Sequence, residues 1–212
     1  MSHLSTAREN QAKSIIAALE KRNMNGYFCK SKQECLDLVL SLIPENSTIA
    51  WGGSETIKEC GIPAALTESG KYNVYDRALY TTPSEQKEFY TLAFQSNFFF
   101  MSTNAITLDG ELVNIDGFGN RVSSLIFGPD RVIVVAGMNK VVSTVEEGLN
   151  RTRNIASPPN TVRLNKNTPC AVTGRCGNCL SPDCICSQIV ITRRSRDKDR
   201  IHVILVDDNL GF

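Results

Sequence analysis

Four consecutive apolar residues, Phe98-Phe99-Phe100-Met101, offer no polar face to water. Such a run has a strand's length, and a strand apolar on both sides must be covered on both sides. Thr48-Ile49-Ala50-Trp51 and Arg131 to Ala136 repeat the pattern. Between these runs lie segments with helical spacing. Ser5 to Lys21 places Ala12, Ile15, Ile16 and Leu19 on one side. Ser31 caps a second helix, with Glu34 completing a capping box and Pro44 stopping it. Pro83 starts a third, Ser84 to Ser96. Strands alternating with helices predict an α/β fold whose sheet is mainly parallel.

The remaining punctuation is local. Tyr27 to Cys29 and Tyr72 to Tyr75 read as short strands. Glu55 to Cys60, Ile62 to Ser69 and Val122 to Phe127 read as short helices. Val141 to Ile155 reads as one helix that Pro158-Pro159-Asn160 ends. Asn104 to Leu108 and Glu111 to Ile115 form a hairpin on Asp109-Gly110. Gln188 to Arg193 and Ile201 to Asp207 read as a closing hairpin. Its solvated turn then holds the basic run from Arg193 to Arg200, which acidic residues interrupt.

With 212 residues, 42% of them hydrophobic, the chain can bury one substantial core. A formal net charge of +1 gives no field for nucleic acid or an anionic membrane surface. No apolar run approaches the ~20 residues that span a bilayer, and no leader pattern precedes Arg8 and Glu9. The expectation is a cytoplasmic protein with reduced thiols, in which clustered cysteines bind metal or do redox work.

Five of the eight cysteines fall between residues 170 and 186: Cys170, Cys176, Cys179, Cys184 and Cys186. Pro169, Gly174, Gly177 and Pro182 punctuate this stretch, so it reads as a loop folded around a metal centre. Four thiolates suit tetrahedral zinc or an iron–sulfur cluster. A zinc ribbon normally has two C-x2-C knuckles, whereas only Cys176 and Cys179 make one here. Redox thiols without metal are the third reading. Cys29, Cys35 and Cys60 read as small buried hydrophobes.

Two Gly-rich segments lie upstream. In Trp51-Gly52-Gly53-Ser54, a strand runs into glycines and a helix start, which is how α/β folds cradle anions. The Lys-Ser/Thr end of a P-loop is missing, so a plain turn capped by Ser54 is the competing reading. The run from Thr103 to Arg121 interleaves Asn104, Asp109, Asn114, Asp116, Asn120 and Arg121 with Gly110, Gly117 and Gly119. It is either turn chemistry or a carboxylate or phosphate site with Arg121 as the bidentate donor.

Ile49 to Ser54, followed by Asn104 to Arg121, resembles the LUD-domain, lactate-utilisation protein C-like family. The resemblance runs from about residue 10 to 160 and includes Arg131 to Lys140. It implies a Rossmann-like three-layer α/β/α fold similar to the glucosamine-phosphate deaminase, ribose-phosphate isomerase and CoA-transferase superfold, with ligand over the carboxyl ends of the strands. The tail is similar to a subgroup with a C-terminal cysteine motif, C-x5-C-x2-C-x6-C. That pattern falls on Cys170, Cys176, Cys179 and Cys186, and makes Cys184, where relatives tend to have a basic residue, the alternative ligand. Residues 1–165 are then the LUD-like domain, and residues 166–212 a cysteine-rich metal loop and closing strands packed on it.

The resemblance also implies iron–sulfur chemistry of lactate-type 2-hydroxy-acid metabolism. Expected are a [4Fe–4S] cluster, with zinc as the alternative, and a small anionic metabolite held by Gly52, Gly53, Ser54, Asn104, Asn114, Gly117, Gly119, Asn120 and Arg121. Proton transfer would fall to Asp109, Glu111, Asp116 or Lys140, since two distant histidines build no Ser-His-Asp set. An electron-transfer protein is the implied partner, and a homodimer is left open. The competing functions are a zinc-stabilised ligand-binding or regulatory module, and an isomerase or transferase acting on a phosphosugar or CoA ester.

Overall fold

The structure, a computed structural model, describes residues 3–212. In chain order its elements are α1 (His3–Lys21), β1 (Asn25–Cys29), α2 (Lys32–Leu42), β2 (Thr48–Trp51), α3 (Glu55–Glu59), α4 (Ile62–Glu68), β3 (Asn73–Tyr75), α5 (Pro83–Phe94) and β4 (Phe98–Met101). Then follow β5 (Ala105–Thr107), β6 (Leu112–Asp116), α6 (Asn120–Ile126), β7 (Arg131–Gly137), β8 (Val141–Val142), α7 (Val145–Arg151), α8 (Ser157–Arg163), α9 (Pro169–Thr173), β9 (Gln188–Thr192) and β10 (Ile201–Val206).

The main sheet has six strands in the order β1-β10-β7-β4-β2-β3, and every pairing in it is parallel. Alternate side chains divide between two cores. Ala50, Phe99, Met101, Val132, Val134, Val203 and Leu205 pack with α1, α5 and α6. Ile49, Trp51, Phe98, Phe100, Ile133, Val135 and Ile204 pack with α2, α3 and α4. The period-2 split of uninterrupted apolar strands makes three layers, helices on both faces of one sheet. Cys29, Cys35 and Cys60 are free and buried in the second core.

The helix starts follow from their caps. Ser31 accepts from the Glu34 N–H at 3.1 Å. Thr82 and Glu85 form a reciprocal capping box before α5. Among the described residues no helix is long and apolar enough to cross a membrane.

Four readings of the sequence are corrected. The closing hairpin does not form. β10 lies inside the main sheet between β1 and β7, while β9 pairs antiparallel with β6 in a second sheet of order β8-β5-β6-β9. The C-terminal strand therefore completes the main sheet. Val141 to Ile155 is not one helix, because Val141 and Val142 pair with β5 as β8. Nor do Pro158 and Pro159 end a helix. They occupy the first turn of α8, where a missing N–H costs least, after a widened π-turn from Thr152 to Ala156. Finally, the cysteine stretch is not all loop. Thr168 caps α9, Pro169 begins it and Gly174, at φ 71°, closes it.

Phe100 is fully buried in the sheet centre, whereas Leu180 in the cysteine loop is 99% exposed. Phe100→Ala should cost ~3–5 kcal/mol in chemical denaturation, and Leu180→Ser less than ~0.5 kcal/mol.

Candidate functional site

Parallel strands all end on the same side of a sheet, and here those ends open into a cavity of ≈ 610 Å³. The volume falls within the roughly 300–1,000 Å³ of small-molecule sites. Gly53 to Thr56 follow β2, Ser102 to Asn104 follow β4, and Lys140 follows β7. Ile115 to Phe118, Asn120 and Arg121 form the opposing wall, with Ser157, Asn160 and Arg163 from α8. The lining holds five Lys or Arg residues against three Asp or Glu, so the cavity favours anions.

Arg121 is the best-satisfied group in this wall. A guanidinium has five N–H donors. Nη1 donates to the Ser102 carbonyl at 3.0 Å and to Asn114 Oδ1. Nη2 donates to Asn104 Oδ1 at 3.1 Å and to the Ile115 carbonyl at 3.0 Å. Nε faces Asp116 Oδ2 at 3.4 Å. Four donors are thus hydrogen-bonded within the protein, and Nε faces the Asp116 carboxylate. Burial pulls the Arg121 pKa down, and the Asp116 charge opposes that. The sequence-based expectation that Arg121 offers a free fork to the ligand is corrected: it ties β6 and α6 to the end of β4.

Gly52 stands beside it because a Cβ there would come within 3.3 Å of Arg121 Cγ. Asn114 is fully buried, with Oδ1 turned to Arg121. Among the described residues its Nδ2 is the one buried side-chain nitrogen or oxygen without a hydrogen-bond partner. The reverse amide orientation would set two N–H donors against the guanidinium.

Lys140 is the contrasting cation. It is 4% exposed and lies in the cavity wall. Nζ meets two hydroxyls, Thr56 Oγ1 at 2.8 Å and Ser102 Oγ at 3.0 Å. No carboxylate pairs with it among the described residues. Burial, then the nearby charges of Arg151 and Arg121, bring its pKa down from 10.5 to about 7, against the opposing pull of Glu59 and Cys60. Such an amine can exchange a proton near neutral pH.

The cysteine loop closes one side. Pro182, Asp183, Cys184, Ile185 and Ser187 line the cavity. The loop backbone passes so close that a Cβ on Gly117 would lie 3.3 Å from Ile185 Cα. The Ser187 N–H donates to the Asp116 carbonyl at 3.0 Å. Burial pushes the Cys186 thiol up; Ser157 opposes this, and Cys184, Cys176 and Cys170 add to it. Cys184, Cys176 and Cys170 therefore lie near enough to act on the Cys186 thiol. All five cysteines of this stretch are free. Cys176 Sγ accepts from the Asn178 N–H, and Cys184 Sγ from the Cys186 N–H, each at 3.4 Å. Among the described residues no three metal-binding side chains stand closed around a point.

Of the residues singled out from sequence, Gly53, Ser54, Asn104, Asp116, Gly117, Asn120, Arg121, Lys140 and Cys184 line the cavity. Gly52, Asn114 and Gly119 stand behind that lining, and Ser54 accepts the Ile57 N–H as a helix cap. Asp109 and Glu111, expected as proton-transfer candidates, lie outside the cavity lining. They sit at the β5–β6 turn, where Arg22 bonds the Asp109 carbonyl and pairs with Glu111 at 3.3 Å. Sequence reasoning missed Thr56, Ser102, Arg77 and Arg163. Ser102 had a signal, as the first polar residue after the apolar β4; Arg163 had none.

Comparison with known proteins agrees with this architecture. A family model described as the LUD domain matches residues 12–206. A solved DUF162 family protein from Deinococcus radiodurans shares the fold, with 14% identity, a TM-score of 0.50, and coverage of 97% of this chain and 99% of that one. The delta subunit of eIF2B from Chaetomium thermophilum aligns over 50% of this chain and 46% of its own, with 16% identity and a TM-score of 0.33. No curated protein matches the sequence.

Two substitutions separate the two buried cations. Arg121→Lys leaves at least two of the five acceptors unserved, and should cost ~2–4 kcal/mol in denaturant unfolding. Lys140 behaves oppositely. Its native pKa is lowered, so the native state binds fewer protons than the unfolded chain between about 7 and 10.5, and stability rises with pH across that window. Below it the penalty is present in full. Lys140→Met should therefore stabilise the protein by roughly 2–4 kcal/mol at pH 6, with the difference closing by about pH 10. A wild-type-minus-variant pH series cancels the other titrating groups; a difference flat with pH would contradict the assignment.

Proposed function

We propose, from the premise that the chain belongs to the LUD-domain family, that the cavity binds a small anionic metabolite of the 2-hydroxy-acid type beside an iron–sulfur cluster held by the cysteine loop. One observation carries this reading: Cys184 and Ile185 line the same cavity as Lys140 and Asp116. A thiol loop placed elsewhere would serve stability or electron storage alone.

The donor set fits the group. It is all thiol, free of disulfides and drawn from one loop, with backbone N–H groups already aimed at two sulfurs. Such N–H···S bonds are among the devices that tune cluster potential. Cys170, Cys176, Cys179 and Cys186 are the proposed ligands of a [4Fe–4S] cluster, with Cys184 as the alternative to one of them. Bound there, the cluster would supply electron transfer to a protein partner, or an open iron as a Lewis acid if only three thiolates held it.

The chain's own groups do the rest. Arg77 supplies positive charge to the cavity, while Arg163 is paired with Glu55 at 3.4 Å. Gly53, Ser54, Asn104, Gly117 and Asn120 shape the wall that a small ligand would meet. Lys140 holds or releases a proton at Nζ, positioned by Thr56 and Ser102. Ile185 and Pro182 help keep water out on the loop side.

Anaerobic purification with metal analysis tests the assignment. The expected protein is brown, with broad thiolate-to-iron absorption and about four irons per chain. Cys186→Ser should lose most of that iron, and Cys35→Ser should keep it. A colourless protein with one zinc would sink the iron–sulfur reading and favour a zinc-stabilised binding module. Comparing Cys184→Ser with Cys186→Ser decides which of the two is a ligand.

A further inference from the structure

We propose that Lys140 is a carbonyl-reactive amine, and that the cavity takes a small aldehyde or ketone bearing an anionic group and binds it through an imine to Lys140 Nζ. This rests on the anion-binding reading above and goes past it, naming the reacting atom and the bond formed.

Buried lysines are rare and are normally paired. Lys140 is buried, yet its partners are two neutral hydroxyls at 2.8 and 3.0 Å. The charges that face it are Arg151 and Arg121, which lower its pKa, and Glu59, which with the Cys60 thiol opposes them. Arg121 is committed to internal acceptors, and so is Arg151, whose Nε donates to the Asn139 carbonyl at 3.1 Å and Nη1 to the Asn104 carbonyl at 2.7 Å. Neither moves to neutralise a ligand. A desolvated amine beside other cations is the recognised setting of a nucleophilic lysine. With its pKa near 7, about half of Lys140 carries the free amine at neutral pH. Meanwhile Arg77 lines the same cavity, has no carboxylate partner among the described residues and supplies charge for an anionic group on the ligand, whereas Arg163 is paired with Glu55 at 3.4 Å.

The chemistry balances without an oxidant or reductant. The neutral Nζ adds to the carbonyl carbon and forms a C–N bond. The carbinolamine oxygen then leaves as water, carrying both amine protons, and C=N remains. The Thr56 and Ser102 hydroxyls stand where those protons must move. Hydrolysis reverses the step.

The test traps that bond. The full chain, purified anaerobically, is incubated with pyruvate, glyoxylate or neutral acetaldehyde, treated with borohydride, digested and read by mass spectrometry. Hydride adds to the imine carbon, so a trapped lysine gains the mass of the carbonyl compound less one oxygen atom. Pyruvate and glyoxylate should label Lys140 more than about tenfold above exposed lysines such as Lys30 and Lys58. Arg77→Gln should weaken labelling by the two acids and leave acetaldehyde labelling unchanged, and Lys140→Arg should abolish the selective adduct. Labelling spread evenly over surface lysines, or no adduct, overturns the proposal. In that case, if pyruvate still shields Lys140 from acetic anhydride, only the imine falls and the anion-binding reading stands. If it does not, both fall.

Discussion

Arg121 is the interaction on which the rest of the site depends. One guanidinium serves acceptors from the end of β4, the following Asn104, β6 and the Asp116 turn. These belong to two different sheets. A buried cation is stable only when its donors are satisfied and its charge is answered. Arg121 meets both conditions, and so fixes the angle at which the small sheet meets the large one. The cavity is the space left between them. Lys140, which bonds the same Ser102, does not meet the second condition. Its hydroxyl partners satisfy hydrogen bonds but answer no charge, so it relieves the strain by giving up its proton. The pair illustrates how one cavity can contain a cation committed to structure and another free for chemistry.

Much of the fold was legible because it is written locally. The alternation of Phe98 and Phe100 against Phe99 and Met101 is visible as an unbroken apolar run, and the structure divides it between two cores. Ser31, Thr82 and the Asp109-Gly110 turn carry their own capping and turn chemistry. What misled is non-local. Gln188 to Arg193 and Ile201 to Asp207 look like neighbours because they are adjacent in sequence. No pattern inside either strand says that one pairs with β6 and the other with β1 and β7. Pro158-Pro159 is ambiguous for a different reason: a proline stops a helix that reaches it and starts one that follows it.

The site divides the same way. Composition marked Thr103 to Arg121 as polar and Gly-rich, and the structure does bring much of it to the cavity. Composition could not assign roles within it. Whether an arginine is free or saturated depends on the backbone carbonyls of Ser102 and Ile115, which every sequence has and none advertises. Asp109 and Asp116 look equivalent in sequence, yet they sit at opposite ends of β6. One strand of five residues separates a turn bonded to Arg22 from a carboxylate at the cavity.

That strand also explains why the cysteine loop, with Cys184, reaches the cavity. β9 runs antiparallel to β6 with Gln188 opposite Asp116. In an antiparallel pair, the residues that enter one strand lie beside those that leave the other. The segment just before Gln188 must therefore lie against the segment just after Asp116. Ile185 accordingly packs on Gly117, and Ser187 bonds the Asp116 carbonyl. A side chain at position 117 would press on the loop backbone, so a glycine there is a condition of closure. The other end of the loop is anchored through α9, where Cys170 lies within hydrogen-bonding distance of Thr161 in α8 and of its own cap, Thr168. With both ends held, the thiols between them have little freedom to settle away from the cavity. The contact between cysteine loop and ligand wall thus follows from strand register and one glycine rather than from the cysteines themselves.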